Sequence, residues 1–213
     1  SGGAALRMAY TAIRSGMVDV ALVIGVEKAT DVLDSDIDSL SVRTLDSDYE
    51  AAEGLTPIGQ AALLMQRYIY ENQVEREALA AFPMLAHANA LNNPHAMYRK
   101  PLALETYLKA GMLAEPFNLY DIAPLADGAA AVLLARREVV PQNLNHPLVR
   151  IAGSSLVTDR FALHDRNDPL FFEAAAVSVQ RACQQAGITP AQADFFEYAD
   201  ITTLHAVLSL EAA

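Results

Sequence analysis

The chain has 213 residues, with 26 acidic and 15 basic side chains, a formal charge of −11, a hydrophobic fraction of 53% and one cysteine. That apolar fraction excludes intrinsic disorder, since disordered chains are apolar-poor and highly charged, and the lone Cys183 excludes an intrachain disulfide scaffold. The longest apolar runs, Val20 to Val26 and Ala129 to Ala135, are far short of the ~20 residues a bilayer span needs. No basic stretch followed by an apolar one opens the chain, so no signal peptide is read there. The acidic balance argues against nucleic acid or an anionic membrane as partner. The opening Ser1-Gly2-Gly3, without a Met, reads as a fragment, a processed product or an edited chain.

In chain order, Gly3 to Ser15 is predicted to be a helix, with Ala4, Ala5, Met8, Ala9, Ala12 and Ile13 at helical spacing and Gly16 as its stop. The run Val18 to Val26 suits a strand buried on both faces, as in a parallel sheet covered by helices. Helix, glycine and buried strand in that order are an α/β pattern. From Glu27 to Glu53 nine acidic residues stand against two basic ones, with no clear period, which reads as an excursion with local turns. Thr56-Pro57 opens the next helix, with Ile58, Ala61, Ala62, Met65, Tyr68 and Ile69 as its apolar face. A helix over Glu75 to Ala90 should kink or split at Pro83. Leu104 to Lys109 is a short helix, and Ala129 to Ala135, after Asp127-Gly128, is a second double-buried strand. Arg136 to Pro147 reads as a linker. Beyond it come a strand over Leu148 to Ser155, a helix over Pro169 to Ala186 capped by Asp168, a strand over Asp194 to Tyr198 and a helix from Thr202 to Ala213. Thr189-Pro-Ala-Gln192 has capping-box spacing.

Most chemical motifs fall away on their spacing. Asp34-Ser-Asp-Ile-Asp38 opens like a calcium loop, but Ser39 and Leu45 stand where glycine and glutamate are required, so a solvated acidic loop is the better reading. No nucleophile elbow, dinucleotide fingerprint or phosphate-binding loop is present. The five histidines (87, 95, 146, 164 and 205) form no H-x-x-x-H pair, so no metal site is expected. Cys183 lies among helical alanines and reads as a small core residue. Ser1-Gly2-Gly3 is the exception. Glycines at a helix start let a second group approach free N–H groups, and the helix dipole there favours a thiolate or oxyanion. A plain glycine-containing helix entry is the alternative.

The longer string Ser1-Gly-Gly-Ala-Ala-Leu-Arg-Met-Ala-Tyr10, followed by Ser15-Gly-Met-Val-Asp-Val-Ala-Leu-Val-Ile-Gly-Val-Glu-Lys28, resembles the thiolase superfamily, in its sterol-carrier-protein-type and archaeal-type branch. Further matches keep the family order: Gly54-Leu-Thr-Pro-Ile-Gly59, His87-Ala-Asn-Ala-Leu-Asn-Asn-Pro-His-Ala96, Asp121-Ile-Ala-Pro-Leu-Ala-Asp-Gly-Ala-Ala-Ala131, Val149-Arg-Ile-Ala-Gly153, Leu163-His-Asp-Arg166 and Leu208-Ser-Leu-Glu-Ala212.

The resemblance implies an α/β, thiolase-like fold of two pseudo-repeated halves with an inserted, mainly helical loop domain, only part of which this chain supplies. Residues 1–27 would belong to the N-terminal half, 28–120 to the loop domain, 121–140 to the last strand region of the N-terminal half and 141–213 to the first part of the C-terminal half. It implies acyl transfer between acyl-CoA thioesters through an acyl-cysteine, with no covalently bound cofactor, a homodimer, and a cytoplasmic, reducing setting. The nucleophilic cysteine is expected immediately before Ser1, with Ser1, Gly2 and Gly3 shaping the helix end beneath it, so the chain alone would be inactive. His87 and Asn93 are candidates for the CoA side of the cleft, with helix-end hydrogen bonding as the alternative.

Two departures stand out. Aligned through Leu208 to Glu211, Ala199 occupies the position of a histidine that helps build the family's oxyanion hole, and Ala123 stands where a serine is frequent near the pantetheine. They favour a second reading, a thiolase-fold subunit that binds CoA or lipid, or that supports a catalytic partner subunit, without turnover. A condensing relative acting on a carrier-bound acyl chain is a third.

Overall fold

The computed structural model describes residues 2–31 and 42–213. The described residues fall into two compact units: 2–31, 126–158 and 174–194 form one, and 42–125, 159–173 and 195–213 form the other.

In the first unit, helix α1 (Gly2–Arg14) ends where Gly16 adopts φ +75°, a left-handed conformation that costs glycine little. Strand β1 (Val20–Glu27) pairs antiparallel with the later β4 (Gly128–Ala135), Val20 opposite Ala135 and Glu27 opposite Gly128. This corrects the expectation of a parallel sheet with both faces buried. Helix α1 packs on β1 and β4, and side chains alternate along a strand, so Ala21 and Val23 are partly covered. Val20, Leu22, Ile24 and Val26 are exposed, Leu22 by 59% and Val26 by 75%. The apolar runs are thus real strands, but nothing in this unit covers their second face.

The segment predicted as a strand over Leu148 to Ser155 is extended without a ladder partner. It is held by side chains: the Ser154 N–H donates to Gln185 Oε1 (3.0 Å), and the Ser154 carbonyl accepts from Arg7 Nη1 (2.6 Å). Gly153 lies so close to the backbone of the following helix that a Cβ there would sit 2.1 Å from the Ala182 carbonyl oxygen. The 194–198 segment, predicted as a strand, likewise has no ladder partner. The helix after Asp168, α6 (Glu173–Ala186), starts later than expected. Asp168 instead closes a local turn, with its Oδ1 accepting from Leu170 N–H (2.8 Å). Cys183 is half-buried on that helix. The Thr189–Gln192 capping box forms as expected, around a short 3-10 turn.

The second unit carries the core. Helix α2 (Pro57–Asn72) is capped by Thr56, whose Oγ1 accepts from the Gly59 N–H. Its face of Ala61, Ala62, Met65 and Tyr68 is buried, as the spacing predicts. The 75–90 helix splits at Ala80 into α3 (Arg76–Leu79) and α4 (Ala81–Ala90). The break lies three residues before Pro83, whose ring nitrogen has no proton to donate to the turn before it. Then follow α5 (Leu104–Leu108) and a hairpin of β2 (Met112–Ala114) and β3 (Phe117–Asn118). Helix α7 spans Thr203–Glu211. One core gathers Met65, Leu79, Phe117, Leu170, Leu204, Val207 and Leu208. In the acidic excursion Ser47–Ala51 forms one π-helical turn, and the buried Glu50 accepts from the N–H groups of Asp46 and Leu163. Asp34, Asp36 and Asp38 of the calcium-like motif lie outside the described residues.

Candidate functional site

In the first unit, Gly2 and Gly3 open α1 and are exposed, and a Cβ on either would meet nothing within 4 Å. The unit's own packing therefore does not require glycine at either position. What glycine leaves there is a helix end that carries no side chain at its first two positions, at the positive end of the dipole. Ser1 lies outside the described residues.

In the second unit, Ala123 and Ala199 lie on neighbouring segments. Ile122 bridges Thr202 in antiparallel fashion, and the Ala123 N–H donates to the Ile201 carbonyl (2.9 Å). The Ala199 carbonyl accepts from Ser209 Oγ (3.4 Å). Both alanines are exposed, so each presents a methyl group and no polar side-chain atom at this corner.

Two polar clusters that the sequence analysis did not single out hold this corner. The first fixes the chain leading to Ala123. Asp121 is 1% exposed; its Oδ1 accepts from the Tyr107 hydroxyl (2.8 Å) and its Oδ2 from the Asn118 N–H (2.8 Å). The Asn118 side chain donates to the Tyr107 carbonyl (2.9 Å) and accepts from the Tyr120 N–H (2.7 Å). The Arg76 guanidinium lies 5.3 Å from the centre of the Tyr107 ring. Burial first, and the Asp121 carboxylate second, push the Tyr107 phenol well above its ordinary range. The second cluster is Thr202 and His205 at the start of α7. Thr202 Oγ1 accepts from the His205 N–H (3.2 Å) and lies 2.7 Å from His205 Nδ1. Burial, with a smaller contribution from Arg166, lowers the His205 imidazole below 6.5. No spacing rule flags these residues, because burial decides their behaviour and single-sequence patterns do not report it.

His87 and Asn93 each make hydrogen bonds of their own to other partners. The His87 ring bonds through Nδ1 to the Lys100 carbonyl (2.9 Å), which makes Nδ1–H the donor there, and stacks against Tyr98 with centroids 6.3 Å apart. Asn93 Oδ1 accepts from the His95 N–H (3.0 Å), a local turn bond after α4. Among the described residues no group of three or more His, Cys, Asp or Glu side chains is arranged to hold a metal, and no helix is long and apolar enough to cross a membrane.

The helix-flanked strand pair and the helical unit with its hairpin together define part of a thiolase-like fold. Residues 1–138 match the family description "Thiolase, N-terminal domain", and 155–213 match "Thiolase C-terminal domain-like". The chain belongs to the thiolase family. It is 34% identical over 212 residues to the acetyl-CoA acetyltransferase of Methanothermobacter thermautotrophicus, covering 99% of this chain and 54% of that protein. It is similar in structure to the "Ltp2-ChsH2(DUF35) aldolase", with a TM-score of 0.83 at 23% identity, over 99% of this chain and 56% of that one. A "monomeric SCP2-thiolase like protein type 1" from Mycobacterium smegmatis gives a TM-score of 0.78 at 20% identity, over 99% and 45%. The chain thus spans about half the length of the curated relatives it matches.

Proposed function

We propose that the chain is part of a thiolase-type acyltransferase acting on acyl-CoA thioesters through an acyl-cysteine, with the nucleophile immediately before Ser1. The observation that carries this reading is the opening of α1 with Gly2 and Gly3, where a Cβ would meet nothing. A thiolate beside such a helix end is stabilised by the positive end of the dipole. It would attack the thioester carbonyl, the CoA thiolate would leave with the electron pair of the broken C–S bond, and the acyl group would pass to a second acceptor. The relative named acetyl-CoA acetyltransferase supports this substrate class. On the same reading residues 1–27 and 121–140 belong to the N-terminal half, 28–120 to the loop domain and 141–213 to the C-terminal half. The complete protein works as a homodimer in the cytoplasm, where a free thiol persists.

A second reading is a thiolase-fold subunit that binds CoA or lipid without turning it over, alone or with a partner subunit. Ala199 and Ala123 favour it, because a lost oxyanion donor typically costs ~10²–10³ in rate. Thiolysis of acetoacetyl-CoA by the protein carrying its natural upstream and downstream sequence separates the two, measured beside calorimetric titration with CoA. Turnover supports the first reading, and CoA binding without turnover leaves the second.

A further inference from the structure

The start of α7 gives Thr202 three tasks. Its carbonyl accepts from the Ala206 N–H (3.1 Å), its Oγ1 accepts from the His205 N–H, and its backbone bridges Ile122. Thr202 is 5% exposed. A hydroxyl that already accepts from His205 N–H has one proton of its own, and His205 Nδ1 at 2.7 Å is the acceptor in line for it. The two bonds then close a ring that needs Nδ1 bare. A proton on Nδ1 would set two donors against one hydroxyl, strand the hydroxyl proton and place a cation at a helix N-terminus, where the dipole opposes it.

We propose that Thr202 and His205 form a proton-released clasp: the neutral imidazole keeps the first turn of α7 and the Ile122–Ala123 pairing with Ile201–Thr202 closed, and protonation opens both. Because that pairing carries Ala123 and leads from Ala199, the clasp would make this corner sensitive to mild acid. The inference does not depend on any acyltransferase activity.

The surroundings leave the imidazole few other partners. Phe172 meets its ring at 5.6 Å, and Arg166 is the charge that acts on it, opposing protonation. Helices α2, α3 and α4 pack on α7. On them Arg67 pairs with Glu71, Arg76 sits over Tyr107, the Tyr68 hydroxyl goes to Glu211 on α7, His87 bonds the Lys100 carbonyl, and Glu77 is exposed. Asp200, on the segment before Thr202, is exposed and acts on Tyr198, while Asp121 is taken by Tyr107 and Asn118. Asp168, on the segment that carries Phe172, accepts from the Leu170 N–H and acts on Arg67, so among the described groups Arg166 is the charge that acts on the ring.

Amide exchange by NMR on this chain, from pH 7.5 to pH 5.5 and corrected for intrinsic exchange, reads the clasp directly. The opening of the Ala206 and Ala123 amides should rise by roughly threefold or more on acidification, while the core amide of Met65 moves less. His205→Gln, which cannot titrate, should flatten the response. Thr202→Ser should keep it and Thr202→Val abolish it, which serves equally if the glutamine variant does not fold. Ring ¹⁵N shifts should place the neutral proton on Nε2. A neutral Nδ1–H tautomer, or equal pH dependence in wild type and His205→Gln, would overturn the proposal.

Discussion

Replacing Gly153 by alanine should undock the 148–157 segment from α6. The added Cβ would lie 2.1 Å from the Ala182 carbonyl oxygen, 2.9 Å from its carbon and 3.2 Å from its Cα. Every atom it meets is helix backbone, so no side-chain rotation relieves the contact, and overpacking of this kind typically costs about 1–3 kcal/mol. The segment could instead lift away, since no ladder holds it. It would then forfeit the Arg7–Ser154 bond, worth about 1.5–3 kcal/mol as a hydrogen bond from a charged donor, and the Ser154–Gln185 bond, worth about 1 kcal/mol. The two routes together bracket the loss at about 1–4 kcal/mol. Urea denaturation followed by far-UV circular dichroism measures it as a lowered midpoint at unchanged slope. A double-mutant cycle with Gln185→Ala distinguishes the routes: lifting makes the second substitution nearly free in the alanine background, whereas a strained but docked segment makes the two additive. A total loss under about 0.5 kcal/mol would refute the close approach itself.

Asp121→Asn should destabilise the second unit by about 2–4 kcal/mol, because an amide cannot accept from both the Tyr107 hydroxyl and the Asn118 N–H; Tyr107→Phe, which removes only one donor, should cost less in the same denaturation assay. Met65→Ala, at a fully buried position, should cost about 2–5 kcal/mol. Leu22→Ser should change the stability of this chain by less than about 0.5 kcal/mol, since that side chain is 59% exposed. Tyr68, hydrogen-bonded to Glu211, has its phenol pushed from 10 to about 12, chiefly by burial and then by that carboxylate. A raised folded value means the contribution is complete below pH 10 and is lost as pH climbs from 10 towards 12. Stability should therefore fall along that alkaline arm in wild type and fall less in Tyr68→Phe.

The elements of the second unit were legible wherever periodicity and caps agree. Thr56-Pro57 with its buried face and the break ahead of Pro83 both follow from local rules. The strands of the first unit were legible as strands but not in their surroundings. An apolar run encodes a preference for burial, and whether a second layer exists to satisfy it lies outside the run. Leu148 to Ser155 shows the same limit, since a strand is a property of a pair and this segment has only Arg7 and Gln185 side chains to bond. Gly2-Gly3 was readable as the opening of α1, where the glycines form the start of the helix. Asp121, Tyr107, Thr202 and His205 were not, because their character comes from contacts that bring distant residues together within a buried corner.

Acyl transfer through a cysteine that precedes Ser1 would leave a covalent intermediate that can be trapped. Peptide mass spectrometry of the protein with its natural flanking sequence, quenched in acid after brief exposure to acetyl-CoA, tests it most directly. The account predicts an acetyl thioester on a cysteine immediately before Ser1-Gly2-Gly3, removed by free CoA. A different residue at that position, or a cysteine there that stays unmodified while CoA still binds, would contradict it.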